Sequence, residues 1–263
     1  MTDSYVHGYA SHEQERLLLQ AEHWREELIL SGTRLAPGTR LLEVGCGVGA
    51  VLAILGEAFP GAVLAGVDVE ERQLEVARAH LARLGVSADL RCADAAELPF
   101  TDGSFDHVWM MWFLEHVADP GAVLREARRV LVPGGALTAI EVDYNSAWAS
   151  PTSDGFEALF ATVAGAMDAS GRSDAGRRVA GWLAEAGFAS VDPGERRLAY
   201  SGDDLARQVP YVAAVVESIL PALAQMPNAS ASLLDAGLAD LHALPATPNA
   251  VLGWVVHKGH AVR

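Results

Sequence analysis

The chain has 263 residues, of which 51% are hydrophobic, and its 34 acidic residues outnumber its 19 basic ones to give a formal net charge of −15. The length predicts one large domain with a sizeable core. The charge argues against nucleic acid or an anionic membrane as a partner, because both are bound chiefly through Lys and Arg. The apolar runs are too short to span a bilayer, no secretory leader is apparent and Cys46 and Cys92 suggest no disulfide framework, so we expect a cytoplasmic protein.

Strand and helix patterns alternate through the first half of the chain. A capped helix is predicted from Ser11 within a segment, 1–36, that precedes the first strand. The elements that follow are strand 40–44, helix 49–58, strand 62–67, helix 70–84, strand 88–92, strand 105–111, helix 120–131 and strand 135–142. This alternation predicts an α/β fold with a mostly parallel, doubly wound sheet whose ligand lies at the carboxyl ends of the strands.

In the second half of the chain, predicted helices and strands continue, with one long helical insertion before the last strand. The pattern predicts helix 153–168, helix 177–187, strand 191–201, a helical insertion over 203–245 and a last strand over 251–258, for seven strands in all. The insertion is unusually apolar over 203–226. It is interpreted as a lid over a substrate pocket, with a dimer interface or ordinary core cover as open alternatives. We therefore expect a single domain over 1–263, with an N-terminal cap at 1–36, a ligand-binding core at 37–150 and a lid at 203–245.

Three alternating glycines follow the first predicted strand. The segment Leu41–Gly49 reads Leu-Leu-Glu-Val-Gly-Cys-Gly-Val-Gly, so a buried strand runs into a turn whose backbone can approach a ligand closely. The next helix directs its N-terminal N–H groups to the same place. Asp68 ends the second strand, where a carboxylate can accept hydrogen bonds from two ribose hydroxyls. The pattern indicates an adenosine-type cofactor.

The glycine spacing distinguishes between cofactors. Dinucleotide sites use G-x-G-x-x-G, whereas this chain has G-x-G-x-G with Glu43 two positions before the first glycine. That spacing resembles motif I of the class I S-adenosylmethionine-dependent methyltransferases. Further segments resemble the family in the same order, namely 92–96, 98–106, 113–120 and 131–135. The resemblance implies a Rossmann-like fold and S-adenosylmethionine as the cofactor.

The resemblance also implies roles for single residues. Asp68 would bind the ribose, Asp94 the adenine amine, and Glu43 the ammonium of the methionine part, directly or through water. Alternatively, Glu43 pins the neighbouring loop and Asp94 caps the turn at 95–96. The full set of predicted cofactor-binding residues is Tyr9, Glu43, Gly45, Cys46, Gly47, Gly49, Asp68, Val69, Asp94, Ala95 and Met110.

The acceptor side carries less information. Residues after strands four and five face the acceptor in this fold, which makes His116, Glu141 and Tyr144 the catalytic candidates. A histidine can serve as a general base near neutral pH, although the Glu-His-Val-Ala-Asp-Pro sequence around His116 is common in the family and then has a structural role. Glu141 could orient an amine or accept a proton. Signatures of nucleobase amino-methylation, of C5-pyrimidine methylation and of a metal-dependent catechol enzyme are absent, and no metal is expected.

These observations predict methyl transfer from S-adenosylmethionine to an oxygen or nitrogen of a small, apolar or planar organic acceptor, in specialised-metabolite biosynthesis. The alternatives are a sensor or a non-methylating enzyme that binds the same cofactor, and, with less support, an NAD-dependent oxidoreductase. The expected partner is the acceptor itself, with a homodimer as an open possibility. Segments 5–28 and 203–226 are expected to close over the acceptor.

Overall fold

The computed structural model describes residues 11–226 and 229–263, and these fall into two compact units. The core unit comprises the described residues of 11–141, 178–194 and 258–263. The accessory unit comprises the described residues of 142–177 and 195–257. The expectation of a single domain over the whole chain stays a prediction.

Strands make up the centre of the core unit. The strands of the chain are β1 Arg40–Val44, β2 Val63–Asp68, β3 Ala88–Cys92, β4 Phe105–Met111, β5 Leu131–Ser150, β6 Ala189–Asp192, β7 Glu195–Ser201 and β8 Val251–Val262. The order in the sheet is β3-β2-β1-β4-β5-β8-β6, in which the neighbours among β1 to β5 are parallel to one another and β6 is antiparallel to β8. In the accessory unit, β7 pairs antiparallel with β8.

Eight α-helices lie within the described residues. They are α1 Ser11–His23, α2 Ala50–Ala58, α3 Glu71–Leu84, α4 Pro120–Val130, α5 Asp154–Ser170, α6 Ala175–Glu185, α7 Gly202–Leu223 and α8 Ala231–Ala243. Three of them, α2, α3 and α4, connect parallel strands. A π-helical turn, Arg25–Leu30, follows α1, and a 3-10 turn, Leu244–Ala246, follows α8. The alternation of β1 to β5 with α2, α3 and α4 is the doubly wound parallel sheet that the sequence predicts, and that prediction is confirmed.

The register of the two central strands brings their carboxyl ends together. In β1 the side chains from Leu41 to Val44 are all buried, as a strand covered on both faces requires. Val44 of β1 pairs with Val67 of β2, so the glycine turn after β1 and Asp68 of β2 emerge at the same edge of the sheet. This edge is where ligands bind in open parallel sheets.

The strand count is eight rather than the predicted seven. The predicted strand 191–201 is two strands, β6 and β7, separated by Pro193 and Gly194. Gly194 has a left-handed φ of +57°, and its N–H donates to Asp192 Oδ1 at 3.0 Å. A side chain at Gly194 would collide with the Lys258 carbonyl. The Pro-Gly pair therefore makes a turn that divides the run, and that part of the prediction was wrong.

The accessory unit buries the apolar face of the predicted insertion. The insertion is helical, as predicted, and consists mainly of α7 and α8. Side chains of α7, including Val209 and Val216, lie in two apolar clusters with residues of α5 and α8. Much of the apolar surface that suggested a lid is thus used for packing within this unit, and closure over an acceptor stays a prediction.

Candidate functional site

The turn between β1 and α2 is built from three glycines in left-handed conformations. Gly45, Gly47 and Gly49 have φ angles of +74°, +48° and +72°. The N–H groups of Gly45 and Cys46 both donate to the Val67 carbonyl, at 2.8 and 3.0 Å, which ties the turn to the end of β2. Side chains other than glycine rarely adopt such angles, so this turn requires glycine for its shape.

The three glycines have different surroundings. A Cβ at Gly45 would collide with the Phe113 ring, lying 2.8 Å from its Cγ, and one at Gly49 would lie 3.1 Å from Ala77 Cβ. At Gly47 the nearest atom among the described residues would be Leu17 Cδ1, at 4.0 Å. Gly45 and Gly49 therefore serve packing, whereas Gly47 leaves room beside its backbone for a ligand.

The carboxylate of Asp68 links the ends of β1 and β2. Its Oδ2 accepts from the Gly47 N–H at 2.8 Å, and its Oδ1 accepts from the Glu70 N–H at 2.9 Å. Burial raises the pKa of Asp68, and these backbone hydrogen bonds act in the opposite direction. Because a carboxylate offers about four lone-pair positions, the carboxylate retains capacity to accept from further donors such as hydroxyls.

Glu43 of β1 is a buried acid next to the same turn. It is 3% exposed, and its Oε2 has no hydrogen-bond partner within the described part of the chain. Burial raises the pKa of Glu43 well above its usual value, and nearby Asp68 adds to the shift. A buried polar atom without a partner indicates a bound water or ligand group at that place.

The residues that follow β2 and β3 present an apolar and an acidic side chain, respectively. Val69 is 70% exposed, unusual for its type, and its carbonyl accepts from Cys92 Sγ at 3.4 Å. Ala95 is buried. Asp94 is exposed, and its Oδ1 accepts from the Ala96 N–H at 2.8 Å. Asp94 thus caps the turn, as the alternative interpretation expected, and the contact with adenine stays a prediction.

Two further predicted cofactor residues are buried. Cys46 is 4% exposed, and a Cβ at Gly66 would lie 2.8 Å from its Sγ. Burial, together with Glu43 and Asp68, raises the pKa of the Cys46 thiol well above its usual value, which makes it a poor nucleophile. Met110 is 0% exposed within β4. Their contact with a cofactor stays a prediction.

A sharp turn follows β4, and we call residues 112–116 the β4 loop. Trp112 has φ +48°, a left-handed conformation that is uncommon for a bulky residue. Its N–H donates to the Ile140 carbonyl of β5 at 2.8 Å. Backbone strain of this kind persists only where the surroundings hold it in place, and it concentrates at functional sites.

Glu141 of β5 holds the next two residues of the β4 loop. Its Oε1 accepts from the N–H groups of Phe113 and Leu114, at 3.0 and 2.7 Å. The side chain is 0% exposed, and its Oε2 lacks a hydrogen-bond partner among the residues that the structure describes. Burial, with the neighbouring Glu115, raises the pKa of Glu141 well above its usual value.

His116 ends the β4 loop beside a second buried acid. Its N–H donates to the Phe113 carbonyl at 3.0 Å, and its Nε2 lies 3.3 Å from Glu115 Oε1. Glu115 is 1% exposed. A carboxylate in this position can orient an imidazole ring, so both the basic and the structural roles of His116 stay predictions.

The other predicted residues lie elsewhere. Tyr144 belongs to the accessory unit, where it packs against an apolar cluster that includes Leu159 and Val216, and its N–H donates to the Ser173 carbonyl at 2.9 Å. Tyr9 lies outside the described residues. The sequence did not single out Phe113, whose ring covers Gly45, because contacts so far apart in the chain leave no local signal.

No group of three or more His, Cys, Asp or Glu side chains in the described part of the chain is arranged to hold a metal ion. No helix in the same part combines the length and the apolar character that crossing a membrane requires.

Comparison with known proteins agrees with the geometry. Residues 42–139 match the family model of the methyltransferase domain. The chain is 39% identical over 129 residues to methyltransferase GfsG of Streptomyces halstedii, covering 48% of this chain and 45% of that protein. It is 42% identical over 105 residues to 27-O-demethylrifamycin SV methyltransferase of Amycolatopsis mediterranei, covering 39% and 38%. The chain thus spans about half, or less, of the length of the curated relatives it matches.

A solved structure shows the same fold. Phosphoethanolamine N-methyltransferase 2 of Haemonchus contortus, in complex with S-adenosylhomocysteine, superposes with a TM-score of 0.56 at 18% identity, covering 95% of this chain and 52% of that one. At this identity the likeness concerns the fold alone. The match to the methyltransferase domain covers residues 42–139, from β1 to β5, and this part of the chain is thus similar to the class I S-adenosylmethionine-dependent methyltransferases.

Proposed function

We propose that the protein transfers a methyl group from S-adenosylmethionine to an oxygen or nitrogen of a small, apolar or planar organic acceptor. The observation that carries the proposal is the hydrogen bond from the Gly47 N–H to Asp68 Oδ2, at 2.8 Å. It places an open glycine backbone and a carboxylate side by side at the carboxyl ends of β1 and β2. That edge of a doubly wound sheet suits an adenosine-type ligand.

The residues at this edge fit the chemical groups of the cofactor. The open side of Gly47 suits close approach by the methionine part, and the unpartnered Oε2 of Glu43 suits its ammonium, directly or through a water. Asp68 has acceptor capacity for ribose hydroxyls. The exposed Val69 offers an apolar surface for adenine, beside which Asp94 would accept from the adenine amine.

The walls of the cofactor site would be formed by Gly45, Gly49, Cys46, Ala95 and Met110. When bound, the cofactor supplies a methyl group activated by a positive sulfur. This chemistry would be an in-line displacement that leaves the S–C bonding electrons on sulfur, and the acceptor's proton would pass to a base. The protein's contribution is to hold the acceptor in line and to receive that proton. His116, beside Glu115, is the candidate base in the core unit, and Tyr144 is kept as a candidate for orienting the acceptor.

The acceptor class rests on two kinds of support. Two of the relatives' names refer to O-methylation of specialised or quinone metabolites, namely 27-O-demethylrifamycin SV methyltransferase and the ubiquinone biosynthesis O-methyltransferase of Chromobacterium violaceum. The net charge of −15 disfavours nucleic acid as the acceptor. A role in specialised-metabolite biosynthesis, with a possible homodimer, is part of the same proposal.

The cofactor assignment predicts a thermal shift with S-adenosylhomocysteine. At about 100 times its dissociation constant a ligand adds about 2.7 kcal/mol to stability. For a chain of this size that corresponds to a rise in Tm of about 5–10 °C. Differential scanning fluorimetry measures this, with NAD at equal concentration as the comparison. A rise in Tm with NAD alone would support the alternative of an NAD-dependent oxidoreductase. Tight binding of S-adenosylhomocysteine without turnover on a panel of acceptors would support the alternative of a sensor.

A matched pair of glycine variants tests the position of the site. Gly47 and Gly38 both have left-handed φ, +48° and +83°, and neither is crowded by protein atoms. Alanine at either position should cost a similar strain of about 1–2 kcal/mol. Only Gly47→Ala should weaken S-adenosylhomocysteine binding, by about 10–100-fold, because an extra methyl in a filled site costs about 1–3 kcal/mol. Equal dissociation constants by calorimetry for both variants would place the cofactor elsewhere.

A further inference from the structure

We infer that Glu141 is a positioning residue, whose buried carboxylate holds the β4 loop against the glycine turn and thereby shapes the cofactor site. The inference rests on the proposed cofactor site for its meaning in function. It differs from the role in acceptor chemistry that the sequence suggested for the same residue. The hydrogen bonds, burial and packing of the β4 loop carry it.

The carboxylate of Glu141 binds the loop rather than facing solvent. Its Oε1 accepts from two consecutive N–H groups, those of Phe113 and Leu114, at 3.0 and 2.7 Å. The side chain is 0% exposed. A carboxylate that accepts two short backbone hydrogen bonds in a buried position is fixed in place and is poorly placed to meet an incoming acceptor.

The backbone of the loop depends on β5 at three successive residues. The Trp112 N–H donates to the Ile140 carbonyl at 2.8 Å, and the next two N–H groups donate to Glu141. Trp112 holds φ +48° between these contacts. A strained residue needs fixed neighbours on both sides to persist, and Glu141 supplies the anchor on the C-terminal side.

The loop in turn contacts the glycine turn. The Phe113 ring occupies the space where a side chain at Gly45 would lie, with its Cγ and Cε2 2.8 Å from that Cβ position. Gly45 is two residues from Gly47, whose N–H is bonded to Asp68. A displacement of Phe113 would therefore remove the surface that holds the turn from one side. The connection runs from Glu141 through the Phe113 backbone and ring to the cofactor turn.

The charge state of Glu141 indicates which variant should preserve this role. Burial and the neighbouring Glu115 raise the pKa of Glu141 well above its usual value, which disfavours its ionised form. A protonated glutamate and a glutamine have nearly the same shape, and both keep an oxygen that can accept two hydrogen bonds. Glu141→Gln should thus preserve the loop, whereas Glu141→Leu removes the acceptor and leaves two N–H groups unpaired.

The experiment compares Glu141→Gln, Glu141→Leu and Thr138→Val. Thr138 is 4% exposed in the same strand but bonds His107, not the β4 loop, so Thr138→Val is the control for losing a buried polar group. Hydrogen exchange of the Phe113 and Leu114 amides is measured without ligand. Protection should persist in the glutamine and valine variants and fall at least tenfold in the leucine variant. The dissociation constant for S-adenosylhomocysteine should rise at least tenfold in Glu141→Leu only.

The outcomes separate this inference from the proposed function. Unchanged amide protection in Glu141→Leu would overturn the inference whether or not the protein binds S-adenosylhomocysteine. If the leucine variant does not fold, Glu141→Gln decides the question. This variant could lose turnover while its Phe113 and Leu114 amides stay protected and its affinity for S-adenosylhomocysteine stays that of the wild type. That result would make Glu141 a proton-transfer residue and overturn the inference. Wild-type turnover in that variant supports it. Failure of the wild-type protein to bind S-adenosylhomocysteine would defeat the proposed function, and the exchange data would still decide the role of Glu141.

Discussion

Replacing Gly45 by alanine is expected to destabilise the protein by about 2–5 kcal/mol, as the sum of about 1–3 for overpacking and about 1–2 for a left-handed alanine. The added methyl would collide with the Phe113 ring, at a backbone φ of +74°. Both surfaces are fixed, since Gly45 is bonded to Val67 and Phe113 to Glu141. Urea unfolding followed by circular dichroism measures the loss as a lower midpoint at unchanged slope.

A double-mutant cycle assigns that loss to its cause. Gly38→Ala, with the same kind of φ and open surroundings, should show the strain alone. In a Phe113→Ala background, Gly45→Ala should cost about 1–3 kcal/mol less than in the wild-type background, because the overpacking has been relieved. If the two substitutions are additive, the Phe113 ring does not lie on Gly45.

The cofactor half of the fold could be predicted because its signals are local. Buried apolar runs followed by glycine or acidic residues determine β1 and β2, and the parallel register then brings Asp68 to the glycine turn without further information. The alternation of strands and helices predicts the parallel, doubly wound sheet, although it does not determine the strand order. These features depend on residues within a few positions of one another, which the pattern of a single sequence records.

Most of what the sequence did not predict depends on contacts between residues far apart in the chain. The break between β6 and β7 had a local signal in Pro193-Gly194, and the distant Lys258 carbonyl explains only why a side chain does not fit at Gly194. The relation of Gly45 to Phe113, and of Phe113 to Glu141, joins three separate strand ends. The sequence predicted that Glu141 lies at the acceptor side of the site, and this stays a prediction. Its burial and its two backbone hydrogen bonds could not be read from the residues around it.

The roles of the three glycines in the turn after β1 also depend on contacts that the local sequence does not record. All three glycines of the turn look alike in the sequence, and the family resemblance assigns them together to the cofactor. Their surroundings separate them, because Gly45 and Gly49 face protein atoms and Gly47 faces open space. Variants of Gly45 therefore report on folding, whereas variants of Gly47 report on binding.

Lowering the pH from 7.5 to 5 is expected to destabilise the protein through His107, and His107→Gln should reduce that loss by about 2 kcal/mol. Burial, with His260 and Lys258 nearby, lowers the pKa of His107 from 6.5 to about 4. Its Nε2 lies 3.0 Å from Thr138 Oγ1. On acidification, His107 binds a proton at a higher pH in the unfolded chain than in the folded one. Its neutral form therefore stabilises the folded protein fully above pH 6.5, and this contribution falls by at most about 3 kcal/mol as the pH drops towards 4.

The difference between variants is the informative quantity in this measurement, because other groups titrate in the same range. Burial raises the pKa of Glu43, Asp68 and Glu141, and such groups favour the folded state as the pH falls, which opposes the effect of His107. Urea unfolding at pH 7.5 and 5 gives the change for each protein. Thr138→Val keeps the imidazole while removing its partner hydroxyl, and should retain the acid sensitivity that His107→Gln loses. If His107→Gln loses as much stability between pH 7.5 and 5 as the wild-type protein does, the proton is taken up at another residue.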